Sequence, residues 1–200
     1  MTIGIVDYGA GNLHSVYKAL TFLGKKCRLV PEPEALEGVT HLVLPGVGSF
    51  GYAARALRTS GWWDFINIWL QSDKPFLGIC LGMQLLFEGS EESPGFQGLG
   101  IFQGTCRGFE TRKTPQIGWN TTRLKKPSCL FKDITVPSHF YFVHGYFVET
   151  EVSECVLANT EYGVIYPSVV GRGRVFGTQF HPEKSGRKGL QLLRNWEELC

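Results

Sequence analysis

The chain has 200 residues, enough for one sizeable hydrophobic core, or for one domain with an excursion. A hydrophobic share of 43% and an aromatic share of 13% are those of a soluble globular protein. A formal charge of +2 is too near neutral to point to nucleic acid, and no apolar run is long enough to span a membrane.

The first half alternates strand and helix signals. Ile3-Gly4-Ile5-Val6 predicts a buried strand. Asn12 is placed to cap a helix through Leu13, Val16, Tyr17 and Leu20, with Gly24 ending it. Cys27-Arg28-Leu29-Val30 and His41-Leu42-Val43-Leu44 predict further strands. Helical patterns follow through Ala53, Ala54 and Leu57, then through Trp62, Phe65, Ile66, Trp69 and Leu70. The apolar run Pro75 to Ile79 predicts another strand, and Met83 to Phe87 a helix. Short apolar strands alternating with amphipathic helices imply an α/β fold: an open, mostly parallel sheet with helices on both faces. The second half reads as antiparallel strands: Trp119 to Leu124, Phe140 to Phe147, Cys155 to Asn159, Val164 to Val170 and Arg174 to Phe180. Gly171-Arg172-Gly173 predicts a hairpin turn. A last helix sets Leu192, Leu193, Trp196 and Leu199 on one face. No repeat or clear linker interrupts residues 1–200, which read as a single domain.

The chemistry centres on Gly78-Ile79-Cys80-Leu81-Gly82, where a predicted strand meets a predicted helix. A strand, a sharp turn and a helix lift one side chain to the tip of a sheet, as in a nucleophile elbow. Glycine suits the positions flanking Cys80, because such a turn leaves no space for Cβ atoms. The N–H of Leu81 would point at the reaction centre, and a helix starting there would favour thiolate. His181-Pro182-Glu183 follows a predicted strand. In an extended chain residues i and i+2 share a side, so His181 can act as base and Glu183 can orient it. The glycines of Pro45-Gly46-Val47-Gly48 follow a third strand and can present N–H groups to an oxyanion.

The remaining motifs are weaker. Gly46 to Gly51 also fits G-x-G-x-x-G, but a dinucleotide fingerprint should open the first βαβ unit, and this one follows the third strand. His14, His41 and His139 lack a nearby carboxylate, and His144 sits inside an aromatic strand where packing is the default. The 6 cysteines, Cys27, Cys80, Cys106, Cys129, Cys155 and Cys200, are scattered. Their spacing fits neither a metal site nor a disulfide framework. No signal peptide is visible, and a reducing cytoplasm is the expected location.

The elbow with Met83-Gln84, together with Gln179-Phe180-His181-Pro182-Glu183, resembles the class I (triad-type) glutamine amidotransferases. Within them, Asp7 to Asn12, Pro45 to Gly48, Gly118-Trp119-Asn120 and Phe142 to Tyr146 are similar to the glutaminase subunits of imidazole glycerol phosphate synthase. The resemblance implies Cys80 as nucleophile, His181 as acid–base and Glu183 as its partner. It implies an oxyanion hole from Gly46, Val47, Gly48 and Leu81, and contacts from Gln84 and Glu92 to the amino acid end of glutamine. It further implies no cofactor, no metal, and a (β/α)₈-barrel cyclase partner that receives ammonia through a channel for histidine biosynthesis. Trp119, Tyr141 and Lys184 are candidates for the docking face, with core packing as the competing role for the two aromatics. Val47, between two glycines, can flip its peptide, which would leave the free subunit idle. The family's Pro-His-Met before Gly-Trp-Asn is here Pro115-Gln116-Ile117, so no role is implied for Gln116. The competing readings are another class I glutaminase, a non-catalytic subunit of the same fold, and a nucleotide-binding oxidoreductase.

Overall fold

The computed structural model describes residues 1–110 and 113–200. Its strands are β1 (Ile3–Val6), β2 (Cys27–Val30), β3 (His41–Gly46), β4 (Phe76–Cys80), β5 (Gly89–Ser90), β6 (Thr105–Gly108), β7 (Gln116–Leu124), β8 (Ser138–His144), β9 (Tyr146–Glu149), β10 (Val156–Glu161), β11 (Ile165–Arg172) and β12 (Val175–Thr178). Its helices are α1 (Leu13–Phe22), α2 (Phe50–Thr59), α3 (Trp62–Gln71), α4 (Leu81–Gln84) and α5 (Gly186–Leu199).

Among the described residues the main sheet has nine strands in the order β2-β1-β3-β4-β12-β11-β10-β7-β8. The first five are mutually parallel, and the rest run antiparallel to their neighbours. The parallel strands β1, β3 and β4 are buried along their whole length. Helices cover both faces, so the strands are almost entirely apolar, His41 at the start of β3 being the exception. Alternate residues feed two separate cores. Leu42, Leu44 and Phe76 pack with Leu57, Trp62, Ile66 and Trp69 of α2 and α3. Val43, Leu77 and Ile79 pack with Val16 and Leu20 of α1 and with Leu192, Leu193 and Trp196 of α5. A small sheet, β5-β6-β9, flanks the main one. Among the described residues no helix is long and apolar enough to cross a membrane.

Several local expectations need correction. Asn12 precedes α1 but makes no side-chain cap. The helix after the elbow is a single turn, Leu81–Gln84. The aromatic run from Phe140 to Phe147 is two strands broken at Gly145, because β8 pairs with β7 and β9 with β6. The hairpin turn lies one residue later, at Gly173-Arg174, since Arg172 pairs with Val175 and Gly173 takes φ +59°. Leu199, the last residue of α5, is 45% exposed rather than on the buried face. Cys129 and Cys200 form a disulfide, with Cα atoms 6.2 Å apart. Their sequence separation of 71 residues hides a proximity created by α5 packing on the 3₁₀ turn Cys129–Phe131.

Candidate active site

Parallel sheets present ligand sites at the carboxyl ends of their strands, and here β3, β4 and β12 end together. Gly46 pairs with Cys80, and Thr178 pairs with Ile79. The next rung therefore sets Gln179 beside Cys80.

Cys80 takes φ +57° and ψ −108°, a conformation L residues rarely adopt. Backbone strain of this kind costs on the order of 1–3 kcal/mol and persists only where packing enforces it. The packing is visible at the flanking glycines. A Cβ on Gly78 would lie 2.5 Å from the Gly82 carbonyl oxygen, and one on Gly82 only 1.9 Å from that of Leu44. A Cβ on Gly46 would meet Leu81 Cβ at 2.7 Å. The glycine-rich strand end and the elbow are thus in direct backbone contact.

His181 is 1% exposed, and its N–H donates to the Tyr141 carbonyl at 2.9 Å. Its Nδ1 lies 2.8 Å from Glu183 Oε1. The two residues do not share an extended strand as expected. Pro182–Lys184 is a 3₁₀ turn that curls the carboxylate back to the ring. The Glu183 side chain is fully buried, and Asn12 Nδ2 donates to the same Oε1 at 3.4 Å. Asn12, read from sequence as a helix cap, instead steadies this carboxylate. The other ring nitrogen, Nε2, is buried without a hydrogen-bond partner. Burial lowers the His181 pKa, but Cys80 and Glu183 outweigh it and raise it to about 10. A protonated imidazole beside a cysteine sulfur is the arrangement of a cysteine nucleophile with its acid–base partner.

The Cys80 thiol is 3.7 Å from the Val143 carbonyl, and Gln179 Nε2 is 3.7 Å from Sγ. It opens on a cavity of about 200 Å³ lined by Val47, Gly48, Leu81, Gln84, Glu92 and the Val143–Tyr146 segment. Gln84 is 4% exposed, and its Nε2 donates to the Tyr146 carbonyl at 2.8 Å and to Gln179 Oε1 at 3.1 Å. Glu92 Oε2 accepts the Phe50 N–H at 2.7 Å, so it caps α2 from a different loop. Its neighbour Glu91 turns away to Arg107, at 3.6 Å. Both predicted substrate contacts therefore line the cavity.

His144 is packed and neutral. Its Nδ1 donates to the Tyr146 carbonyl at 2.8 Å, and burial lowers its pKa to about 4. Its Nε2 faces the Tyr166 hydroxyl at 3.3 Å, and that hydroxyl lies 2.9 Å from Gln116 Oε1. Burial pushes the Cys106 and Cys155 thiols up, away from reactivity.

Trp119, Tyr141 and Lys184 meet on one surface. Trp119 pairs with Tyr141 across β7 and β8, and their rings are 6.1 Å apart. Lys184 Nζ sits 6.0 Å from the Tyr141 ring. Trp119 is 57% exposed, so it is not the core residue its apolar bulk allowed.

Residues 4–198 match the family model described as glutamine amidotransferase class-I. The chain belongs to the class-I glutamine amidotransferases. Among curated proteins it is 48% identical over 195 residues to the imidazole glycerol phosphate synthase subunit HisH of Desulfitobacterium hafniense (strain DSM 10664 / DCB-2), covering 97% of this chain and 92% of the relative. It is 46% identical over 198 residues to the protein of the same name from Methanocaldococcus jannaschii, covering 98% and 99%. Among solved structures, a crystal structure of a glutamine amidotransferase superposes with a TM-score of 0.78 at 22% identity, covering 98% of this chain and 97% of that one. The structure of PurLQS from Thermotoga maritima gives 0.74 at 19% identity, covering 98% and 97%. These two likenesses concern the fold.

Four parts of this amidotransferase site escaped the sequence reading. Asn12 carried the signal of a helix cap, and Gln179 was only part of a motif. Tyr8, with its hydroxyl buried and its pKa raised by burial and by Cys80, was likewise only part of a motif. The Tyr146 carbonyl is backbone, invisible to any side-chain pattern.

Proposed function

We propose that the chain is the ammonia-producing subunit of an imidazole glycerol phosphate synthase, with Cys80, His181 and Glu183 as its triad. The observation that carries this reading is the buried His181–Glu183 pair, 2.8 Å apart, set against a cysteine strained at the tip of a parallel strand.

The Cys80 thiolate attacks the side-chain carboxamide carbon of glutamine. The N–H of Leu81 and those of Gly46, Val47 and Gly48 receive the negative oxygen. The His181 imidazolium gives its proton to the departing nitrogen, the C–N bond breaks, and ammonia leaves a γ-glutamyl thioester. His181, now neutral, takes a proton from water as the water attacks the thioester. The thiolate leaves and glutamate is released. Glu183 keeps the Nδ1 proton in place throughout. Gln84 and Glu92 hold the substrate ammonium. Both Gln84 hydrogens are already bonded to Tyr146 and Gln179, so its free oxygen is an acceptor suited to that cation.

Ammonia passes to a (β/α)₈-barrel cyclase subunit, which closes the imidazole ring in histidine biosynthesis. Trp119, Tyr141 and Lys184 form its docking face. An exposed tryptophan, a tyrosine and a cation in contact are typical of such anchors. The Tyr141 carbonyl accepts the His181 N–H, so this face is one hydrogen bond from the triad. Gly48 at φ +93° gives the Val47 peptide the freedom to turn when the partner docks. The cytoplasm is the expected compartment.

The test is labelling with a glutamine-mimicking electrophile in the presence of the cyclase, followed by peptide mass mapping. The adduct is expected on Cys80. An adduct on any other cysteine instead would overturn the assignment.

A further inference from the structure

Gln179 follows β12 and is completely buried. It stands two residues before His181, across a bend, and its side-chain amide reaches Cys80. Phe180, between them, stacks on Phe140 with ring centroids 4.1 Å apart, which anchors that bend in the core. The Gln179 backbone N–H donates to the Ser168 carbonyl at 2.9 Å, fixing the residue from β11 as well.

The orientation of its amide follows from the bonds around it. The Tyr146 carbonyl can only accept, so the group facing it at 2.8 Å is Gln84 Nε2. The second hydrogen of that nitrogen points at Gln179, 3.1 Å away, which must present Oε1. Gln179 Nε2 is thereby turned to Cys80 Sγ at 3.7 Å. One buried amide links the sulfur to the residue that lines the substrate cavity.

We propose that Gln179 is a positioning residue of this site. Its N–H holds the Cys80 sulfur as thiolate in line for attack, and its carbonyl fixes Gln84 with the acceptor oxygen toward substrate. This rests on Cys80 being the nucleophile. An N–H donor to a charged acceptor in a dry site is among the stronger hydrogen bonds. Its loss is expected to lower kcat by about 10- to 100-fold.

Two variants of the full chain, assayed for glutamine hydrolysis with the cyclase partner, test it. Gln179→Met keeps the volume and removes both donor and acceptor. It should lower kcat, raise KM for glutamine several-fold, and slow iodoacetamide alkylation of Cys80. Gln179→Glu, assayed above neutral pH, still accepts from Gln84 but offers the sulfur no donor. It should keep KM within about twofold while kcat falls at least about tenfold. That split is not the signature of a loosened fold, and the polar variant reports even where the Met variant fails to fold. Equal losses in kcat and KM for both variants, or kcat unchanged in either, would overturn the proposal. If the electrophile fails to label wild-type Cys80, the nucleophile assignment itself fails. If it labels wild type and Gln179→Met turns over normally, only the role of Gln179 falls.

Discussion

Gly82→Ala probes what holds the elbow. Gly82 does not use the left-handed backbone that glycine alone tolerates well. Its reason for being glycine is space. An added Cβ would lie 1.9 Å from the Leu44 carbonyl oxygen and 3.4 Å from Leu44 Cγ. The first contact is with backbone of a fully buried central strand, which cannot swing aside as a side chain can. Relief requires the turn to back away from β3 by about 1 Å, and a misplacement of that size at a reacting centre costs about 100-fold in rate. Overpacking a rigid interior adds about 1–3 kcal/mol of destabilisation. The assay is glutamate release with the cyclase present, paired with urea denaturation. Gly48→Ala is the contrast, because among the described residues nothing beyond its chain neighbours lies within 4 Å of its Cβ and only the positive φ is strained. It should cost about 1–2 kcal/mol at most and act through the oxyanion strand. Wild-type rate and stability in Gly82→Ala would refute the steric account of the elbow.

Glu183→Gln removes the charge that steadies the His181 imidazolium, so kcat should fall roughly 10²- to 10⁴-fold with the fold intact by circular dichroism. The His181 pKa is raised, so its protonation stabilises the folded state fully below about 6.5 and progressively less as pH climbs to about 10. Across that window the melting temperature of wild type should fall relative to that of His181→Gln, measured by scanning calorimetry; parallel curves would contradict the shift. Trp119→Ala should weaken cyclase binding about 30-fold or more in titration calorimetry. Alkylation of Cys80 in the free chain should stay unchanged, whereas undiminished affinity would remove Trp119 from the interface.

The parallel half of the fold was legible because each of its signals is local. A strand buried on both faces must be largely apolar; β1 and β4 are so throughout, and β3 is from Leu42 onward. Cys80, His181 and Glu183 were legible for a related reason: an elbow needs small neighbours, and a base needs an acid close in sequence. Local patterns failed where distant segments choose the partner. Asn12 looks like a cap on its own helix, yet a carboxylate 171 residues away takes its side chain. Glu92 caps a helix that began 42 residues earlier. Phe140 to Phe147 has one pattern but two destinations, in separate sheets. Cys129 and Cys200 carry no spacing signal, since only the docking of α5 brings them together.

The sequence by itself determined the alternation of strands and helices, the sharp turn at the cysteine and the nearness of His181 to Glu183, because backbone space and side-chain period act over a few residues. Apart from the β11–β12 hairpin, tertiary structure alone decided which strands lie adjacent. That order places β12 beside β4, and with it Gln179 and His181 beside Cys80. A sheet orders its strands by burial and crossover, not by position in the chain, so the reaction centre exists only once that order is made.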